Sequence, residues 1–382
     1  MTQDLDDTFA FIIHPIDPRR DVTRKYPALR HLPVWLIEFL SLFYPPVYIS
    51  EIQGVTSAYS GRELHGWFLA CPLTPRMMMR LPPAVVYRKI IQAGRLAERL
   101  GARILGLGAF TSVVGDGGRT IAHQLDIPVT TGNSYTVAVA VQALREAAAT
   151  MGRPLSESTV AVVGANGTIG AVCAELLAPE CDAMLLLGRD EQALAVVAEK
   201  ARAVKRRADA KRVPDQGRAP AAVTTSTDLG RLAEAGLVVT VTSAVEQIVE
   251  PHHLQAGAIV CDVARPRDVS EQIARVRPDV LVIEGGMVRV PGPVDFGFDF
   301  GFPSGMAYAC MAETMALALE GQYMPFSLGK RVTLPQVLAI DKMATRHGFR
   351  LGGFRSFERA VTAAEIASVR SYATALPRGE GL

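Results

Sequence analysis

The sequence predicts an α/β protein with a Rossmann-like, doubly wound parallel sheet and a second α/β domain. After Thr159, short continuous apolar runs alternate with helical stretches, as expected for buried parallel strands covered by helices. A glycine-rich loop follows the first of these runs and opens a helix. The length of 382 residues exceeds what one hydrophobic core usually organises, so more than one domain is expected.

We expect three segments. Residues 1–151 form a substrate-binding α/β domain, residues 152–302 form the Rossmann domain, and residues 303–382 form a C-terminal helical segment that packs back on the first domain. The charge balance gives a net charge of +2, which does not favour a nucleic-acid partner.

The cysteines and the N-terminal residues indicate the compartment. Five cysteines are scattered without a CxxC pair or a ligand-like spacing with histidine, so we expect no metal site and reduced thiols. The first residues, MTQDLDDTFAFIIHP, lack the basic region and apolar core of a signal peptide. A cytoplasmic location is therefore predicted.

The first elements of the chain are the strand FAFII and the apolar segment Leu32–Ile49. Glu38 and the pair Pro45–Pro46 interrupt this segment, which is too short and broken for a membrane span. Two interpretations stay open: a buried helix and turn, or an apolar surface that receives a lipid chain or touches a membrane.

Helical periodicity from Pro83 to Leu100 predicts an amphipathic helix. Its outer face is basic, with Arg88, Lys89, Arg95 and Arg99. GARILGLGAF then indicates a strand that enters a glycine-rich loop, and IPVTTGNSYTVAVAVQAL indicates a strand, a turn at Gly132–Asn133 and a helix to about Met151.

The second half supplies the strands of the Rossmann sheet, in the runs VAVVG, AMLLLG, GLVVTVTSA, GAIVCDVARP and DVLVIEGG. The charged run 199–220 lengthens one connection and is expected to be a solvated helix end and loop, with a nucleic-acid or carrier-protein contact as the alternative. Start signals at Pro303-Ser304-Gly305 and a stop at Gly321 predict a helix that carries Cys310 past its first turn.

The glycine loop predicts a nucleotide site. Glycines permit a tight turn and close approach of the backbone to a pyrophosphate, and the helix N-terminus offers unpaired N–H groups. The spacing is GxxGxxG and departs from GxGxxG. The candidate cofactor-binding residues of this loop are Gly164, Asn166, Gly167, Thr168, Ile169 and Gly170.

The end of the next strand bears on the choice of nicotinamide cofactor. Arg189 stands where an acidic residue would normally meet a free ribose hydroxyl, and an arginine can pair with a 2′-phosphate, so NADPH is favoured over NADH. A surface arginine is the alternative. Thr242 and Ser243, at the end of a later strand, are further cofactor-binding candidates, and Asp262 either caps a turn or contacts the ligand.

Two interpretations of Cys310 are open. An unpaired cysteine is commonly a small buried hydrophobe. Beside a nicotinamide site, however, a thiolate can attack a thioester and hold the acyl group, which hydride then reduces to an aldehyde.

Several collinear motifs resemble the cyanobacterial-type long-chain acyl-[acyl-carrier-protein] reductases. They are FAFIIHP, YRKIIQAGRLAERLG, LGAFTSVV, TTGNSYT, VVGANGTIGAVC, IEGGMV, YACMAE and KMATRHGF. The resemblance implies NADPH as cofactor, Cys310 as nucleophile and a fatty aldehyde as product. The run around 202–218 and the segment Pro72–Pro83 diverge from this pattern.

If the protein is such an acyl reductase, further residues become catalytic candidates. Asn133, Ser134 and Thr136 are candidate oxyanion donors, with capping of their helix as the alternative. His14 is a candidate for proton transfer or a structural histidine.

The expected partners are a fatty acyl-carrier protein or acyl-CoA, and beyond these an aldehyde-consuming enzyme or a membrane surface. An acidic carrier would suit a docking face made by Arg76, Arg80, Arg88, Lys89 and Arg95. Two other functions stay open: a dehydrogenase or ketoreductase acting by direct hydride transfer with Cys310 in the core, and a non-catalytic NADP-sensing or carrier-binding protein.

Overall fold

The computed structural model describes residues 7–210 and 222–375. The strands are β1 (Thr8–Ile13), β2 (Val47–Thr56), β3 (Glu63–Ala70), β4 (Leu105–Leu107), β5 (Val129–Thr130), β6 (Thr159–Val163), β7 (Ala183–Leu187), β8 (Val223–Ser226), β9 (Leu237–Thr240), β10 (Ile259–Asp262), β11 (Leu281–Glu284), β12 (Met287–Arg289), β13 (Met306–Tyr308), β14 (Arg350–Leu351), β15 (Arg355–Ser356) and β16 (Arg359–Ala360).

The α-helices are α1 (Pro18–Lys25), α2 (Val34–Phe43), α3 (Pro75–Arg80), α4 (Pro83–Leu100), α5 (Phe110–Val113), α6 (Arg119–Ala122), α7 (Asn133–Met151), α8 (Thr168–Leu177), α9 (Glu191–Asp209), α10 (Ile273–Val276), α11 (Ala309–Leu319), α12 (Leu334–His347) and α13 (Ala363–Ala375). Short 3₁₀ helices cover Pro27–His31, Leu155–Glu157, Leu229–Glu234 and Pro251–His253.

The described chain divides into two compact units. Unit 1 contains residues 7–135 and 288–352, and unit 2 contains 136–210, 222–287 and 353–375. These bounds differ from the expected 1–151, 152–302 and 303–382. The chain leaves unit 1 within α7, and the segment after residue 302 is shared between the units.

Long-range pairing explains how the C-terminal segment is shared. Val288 and Arg289 of β12 pair with β14, which ties residues 350–351 to unit 1. The hairpin β15–β16 belongs instead to unit 2, where the Glu358 N–H donates to the Glu284 carboxylate (2.8 Å) at the end of β11. A boundary read along the sequence cannot show such a division.

Unit 1 is built on a five-stranded sheet with the order β2-β3-β1-β4-β5, in which only β2 runs antiparallel to its neighbour. The predicted helix over Pro83–Leu100 is confirmed, and it ends at Gly101, whose φ of 89° is left-handed. Its apolar stripe packs with Ala10 and Ile12 of β1, in the core of the unit.

Helix α11 covers β1 and β4 on the side of Phe11. A Cβ atom at Gly106 of β4 would lie 2.2 Å from the Thr314 Oγ1 of α11 and 2.4 Å from the Phe11 ring. The missing side chain therefore lets the helix lie directly on the sheet.

Unit 2 contains a six-stranded parallel sheet with the order β11-β10-β9-β6-β7-β8. Strands on both sides of β6 are reached by helical or 3₁₀ connections, which confirms the predicted Rossmann-like, doubly wound fold. The topological switch point lies between β6 and β9. The edge strand β8, with the sequence VTTS, was not predicted, since it is short and polar.

The charged run is only partly a solvated helix end. Helix α9 continues to Asp209, and within it Lys205 is buried, donating from Nζ to the carbonyl oxygens of Ala178 (3.0 Å) and Cys181 (2.6 Å). Residues 211–221 of the run lie outside the described residues.

The apolar segment Leu32–Ile49 forms α2 and the start of β2. Ile37 and Ser41 of α2 are buried, but Trp35 and Phe43 are 68% and 72% exposed. The structure therefore favours the apolar-surface interpretation over a fully buried helix. No helix within the described ranges is long and apolar enough to cross a bilayer.

Candidate active site

Cys310 is the second residue of α11, which begins at Ala309. The prediction that this helix starts near Pro303 was wrong, because Met306–Tyr308 form β13 beside β12. Cys310 therefore lies in the first turn, where backbone N–H groups lack helical partners and the helix dipole is positive. It is partly exposed, whereas the other four cysteines are buried.

Three backbone N–H groups favour a negative charge on the Cys310 sulfur. Hydrogen bonds from the amides of Met311, Cys310 and Ala109 lower the pKa of this thiol. Ala109 is a non-glycine residue with φ of 45° and ψ of −123°, at the start of α5. Positive φ is costly for alanine, and such strain often accompanies functional sites. Here the strained residue supplies one of the donors.

Burial opposes the charge. It raises the pKa of Cys310 to about 12, and the nearby Glu313 carboxylate also raises it, against the lowering by the amides. Protein atoms surround the sulfur closely although part of the residue is exposed. In the ligand-free protein the thiol is therefore protonated at neutral pH, while its surroundings carry donors for a developing anion.

Gly132 brings a second loop against Cys310. Its φ is +72°, and a Cβ atom there would lie 2.2 Å from the Cys310 Cα and 2.3 Å from the Cys310 Cβ. Both the backbone conformation and the close approach require glycine at this position. The turn predicted at Gly132–Asn133 is thus a wall of the cysteine site.

Glu313 holds this loop to α11 one turn after the cysteine. Its Oε1 accepts from the Thr130 hydroxyl (2.5 Å) and its Oε2 from the Tyr135 N–H (2.9 Å). Complete burial raises the pKa of Glu313, and these bonds, together with those from the Gly132 amide and the Ser327 side chain, oppose the rise. A buried carboxyl this well bonded fixes the geometry around it.

Sequence reasoning missed Glu313, Thr130 and Ser327. The available signal was a glutamate inside the otherwise apolar helix ACMAETMALAL, because a carboxylate at a buried position needs partners.

Ser134 and Asn133 begin α7 beside Gly132. Ser134 is fully buried, and its hydroxyl hydrogen-bonds the Ser327 hydroxyl (2.6 Å), while its N–H donates to the same Ser327 oxygen (3.1 Å). This arrangement favours anchoring of the loop by Ser134. Asn133 is partly exposed at the helix start, and an oxyanion role for either residue stays a prediction.

His14 follows β1 and is buried. The Phe110 N–H donates to its Nε2 (3.1 Å), and its Nδ1 lies 3.3 Å from the Pro15 carbonyl oxygen. Burial lowers the pKa of His14 to about 4, so the ring is neutral with its proton on Nδ1. These contacts hold the chain next to Ala109, and proton transfer by His14 stays a prediction.

Unit 2 contains the glycine loop between β6 and α8. Gly164 has φ of +82°, and a Cβ atom at Gly170 would lie 2.3 Å from the Gly164 carbonyl oxygen. Gly167 is the N-cap of α8 and has no side chain to bond the first-turn amides of Thr168, Ile169 and Gly170. Those amides point out of the helix end and suit a pyrophosphate.

Arg189 and Asp190 follow β7, at the position where a contact with the ribose of a bound cofactor is expected. The Asp190 carboxylate accepts from the Ala193 N–H (3.0 Å) and caps α9, whereas Arg189 is exposed. Because Gly188 has no side chain, it leaves room for Asn166. A Cβ atom at position 188 would lie 2.4 Å from the Asn166 Oδ1. The acidic residue is thus used locally, and a phosphate contact by Arg189 stays a prediction.

Thr242 lies next to the glycine loop, with its Cγ2 3.1 Å from the position of a Cβ atom at Gly164. Its N–H donates to Asp268 (2.9 Å) and its hydroxyl bonds the same carboxylate. Ser243 beside it is exposed. Both residues are at the switch point, but the Thr242 hydroxyl is engaged within the protein, so contact with a cofactor stays a prediction for each.

Asp262 has a structural role. It is buried at the end of β10 and accepts from the N–H groups of Ala264 (3.0 Å) and Val269 (3.3 Å). Burial raises its pKa to about 7. Of the two interpretations left open by the sequence, these bonds favour capping of the turn.

Comparison with known proteins gives a distant but extended relationship. Residues 145–283 match the family described as Shikimate / quinate 5-dehydrogenase. The chain is 29% identical over 351 residues to the long-chain acyl-[acyl-carrier-protein] reductase of Synechococcus elongatus, covering 88% of this chain and 95% of that protein.

A second relative is the aminotransferase PigE of Serratia sp., 30% identical over 324 residues, or 83% of this chain. The chain spans only 36% of the length of PigE. Among solved structures, L-tryptophan dehydrogenase from Nostoc punctiforme has a TM-score of 0.39 at 13% identity, covering 97% of this chain and 88% of that one. Quinate dehydrogenase from Corynebacterium glutamicum has a TM-score of 0.35 at 11% identity, covering 89% and 98%.

The sequence relationships and the glycine loop on a Rossmann-like sheet together support an NAD(P)-dependent oxidoreductase. They agree with the resemblance drawn from the motifs, at the level of distant similarity over most of the chain.

Proposed function

We propose that this protein reduces a long-chain fatty acyl thioester to the fatty aldehyde with NADPH, through an acyl group held on Cys310. The observation that carries the proposal is the position of Cys310 in the first turn of α11, with the Ala109 amide also aimed at its sulfur. A thiol that only filled the core would need neither the strained alanine nor the converging donors.

In the first step the Cys310 sulfur attacks the thioester carbonyl. The bond between the acyl group and the donor's sulfur breaks, and the donor leaves as a thiol with the proton that Cys310 loses. The acyl group stays on the Cys310 sulfur. The amides of Ala109 and Met311 hydrogen-bond the sulfur, so they favour the thiolate form of Cys310 that makes the attack.

NADPH fits unit 2 by the residues present. The first-turn amides of α8 would hold the pyrophosphate and Arg189 the 2′-phosphate. When bound, NADPH supplies the hydride that reduces the acyl carbonyl. The resulting thiohemiacetal on Cys310 then takes up a proton, releases the aldehyde and restores the thiol.

A carrier protein is the donor that the relatives favour, because the Synechococcus elongatus protein is named for an acyl-carrier substrate. The outer face of α4 offers a groove of about 440 Å³, lined by Ala84, Tyr87, Arg88, Ile91, Gln92, Arg95, Thr120 and Gln124. Its arginines suit an acidic carrier, and an acyl-CoA is the other donor to test.

The direct test is intact-protein mass spectrometry with palmitoyl-carrier protein and, separately, palmitoyl-CoA. Without NADPH we expect the mass of one palmitoyl group, located on the Cys310 peptide. With NADPH the adduct should disappear as hexadecanal forms. Absence of an adduct with both donors would contradict the covalent route.

Arg189→Gln is expected to weaken NADPH binding about tenfold to a hundredfold, because it removes a charge-assisted bond worth about 1.5–3 kcal/mol. NADH binding should change little. Titration of the reduced cofactors by fluorescence, without acyl substrate, measures both. Arg275→Gln, at another exposed arginine of unit 2, is the matched control. Equal weakening of the two cofactors would remove the assignment of Arg189 to the phosphate.

A second candidate is direct hydride transfer to a small substrate, favoured by the match of residues 145–283 to the Shikimate / quinate 5-dehydrogenase family. It requires no acyl adduct and leaves Cys310 without a chemical role. The same mass-spectrometric experiment therefore separates the two candidates. A protein that only senses NADP would give neither adduct nor turnover.

A further inference from the structure

Helix α2 carries a stripe of exposed aromatic side chains, Trp35, Phe39 and Phe43. They are 68%, 53% and 72% exposed, and their spacing of four residues places them along one side of the helix. The rings of Phe39 and Phe43 contact each other, with centroids 5.4 Å apart. Scattered single hydrophobic residues are ordinary on a surface, but a contiguous aromatic stripe marks an interaction site.

The opposite side of α2 packs into unit 1, and this packing keeps the aromatic stripe on the surface. Ile37 and Ser41 are buried, and Leu42 packs against the core of unit 1. The single charged residue of α2, Glu38, lies off the stripe and accepts from the Thr74 hydroxyl (3.0 Å). The exposed side of the helix therefore presents no charge of its own.

Basic side chains are frequent on the elements next to α2. Helix α1, which packs against α2, and the 3₁₀ turn after it carry Arg19, Arg20, Arg24, Lys25 and Arg30. The Tyr26 and Tyr44 rings, with centroids 6.1 Å apart, join this segment to the end of α2.

The acidic residues of the same segment are engaged locally. Asp17 caps α1 by accepting from the Arg19 and Arg20 amides, and Asp21 pairs with Arg20 (3.3 Å) and Arg24 (3.4 Å). At the C-terminal end of α2, the Lys89 Nζ donates to the Tyr44 carbonyl oxygen (2.6 Å). Helix α1, the neighbour of α2, thus carries more arginine and lysine than acidic side chains, with Arg19, Arg20, Arg24 and Lys25 against Asp21.

We propose that this surface, α1 and the aromatic stripe of α2, docks the protein on an anionic lipid bilayer, with α2 lying in the interface. Aromatic rings prefer the boundary between headgroups and acyl chains, and neighbouring cations are attracted by anionic headgroups. With ten residues, α2 is too short to span the hydrocarbon core. A second copy on the same surface would bring like charges together, whereas a negatively charged bilayer complements them.

This proposal does not depend on the acyl-reductase function. If that function holds, the surface would keep the enzyme where a long-chain aldehyde partitions.

Tryptophan fluorescence of the whole protein provides the test, because the chain has two tryptophans and Trp67 is only 7% exposed. Without cofactor or thioester, adding vesicles of phosphatidylcholine and phosphatidylglycerol (about 7:3, for a surface potential like that of anionic membranes) should shift the Trp35 emission to shorter wavelength. Co-sedimentation should show the same binding. Both signals should fall with pure phosphatidylcholine or in high salt.

The double variant Phe39→Ser/Phe43→Ser keeps Trp35 as reporter and should bind these vesicles about tenfold or more weakly, since two rings no longer enter the interface. Leu338→Ser is the matched control, because Leu338 is 55% exposed on α12 of the same unit. No emission shift with anionic vesicles, or equal binding by the double variant and the control, would overturn the proposal. A shift that grows with protein concentration in the absence of lipid would instead identify a second copy as the occupant.

Discussion

Cys310→Ser is expected to lower aldehyde formation from a palmitoyl thioester by about 10³-fold or more, as removal of a catalytic nucleophile usually does. A serine hydroxyl is a much weaker nucleophile near neutral pH, and an ester on oxygen is less readily reduced than a thioester on sulfur. Hexadecanal measured by gas chromatography, with NADPH consumption followed in parallel, gives the size of the effect.

Two comparisons make this result specific. Cofactor binding by the variant should be unchanged, because the glycine loop is in unit 2 and Cys310 in unit 1. Cys71→Ala, at a fully buried cysteine of unit 1, should keep its activity per folded molecule. If Cys310→Ser retained wild-type turnover, the thiol would return to a packing role and direct hydride transfer would become the better function.

Gly132→Ala should both destabilise unit 1 and abolish most of the activity. A methyl group there would sit 2.2–2.3 Å from the Cys310 Cα and Cβ, on a backbone with φ of +72°. We expect a loss of about 2–4 kcal/mol in the free energy of unfolding, from overpacking and the left-handed conformation together. Displacing the nucleophile by about 1 Å should cost a further ~10²-fold in turnover of the molecules that remain folded.

Gly61→Ala separates the two causes. Gly61 has nearly the same φ of +70°, but nothing lies within 4 Å of a Cβ atom there. This control should lose only the conformational part, about 1–2 kcal/mol, and keep its activity. Denaturant melts and turnover per folded molecule measure both variants. Equal losses of stability and activity would show that the contact with Cys310 is unimportant.

The candidate site gathers three segments at the carboxyl edge of the unit 1 sheet. They follow β1 at His14, β4 at Ala109 and β5 at Gly132, and α11 delivers the cysteine to them. Because Gly106 lets α11 lie on β4, and Glu313 ties the helix to the Gly132 loop, the sulfur is held by packing as well as by its own backbone.

Several features could be predicted because their signals are local. Apolar runs predicted the strands β6, β7, β9, β10 and β11, and helical periodicity predicted α4 with its bounds. The glycine loop was found because its residues are contiguous. Cys310 was chosen through a chemical argument and a family resemblance, and its role remains to be tested.

Other features depend on residues distant in the chain. Tyr135 and Glu313 are 178 residues apart, and Ser327 and Thr130 are 197 apart, so no local pattern could place them in one network. Capping signals at Pro303-Ser304-Gly305 predicted a helix start, but Met306–Tyr308 became a strand because β12 was available as a partner.

The sequence by itself determined the fold class, most of the Rossmann strands and the glycine loop between β6 and α8, and it singled out Cys310 as the thiol to test. Propensity, periodicity and turn chemistry act over a few residues, so they can be read along the chain. The tertiary structure alone decided that Cys310 is in a first helical turn, that strained Ala109 faces its sulfur, and that the aromatic side of α2 is exposed. Burial and hydrogen-bond partners depend on which distant segments pack together, and that is settled only when the chain folds.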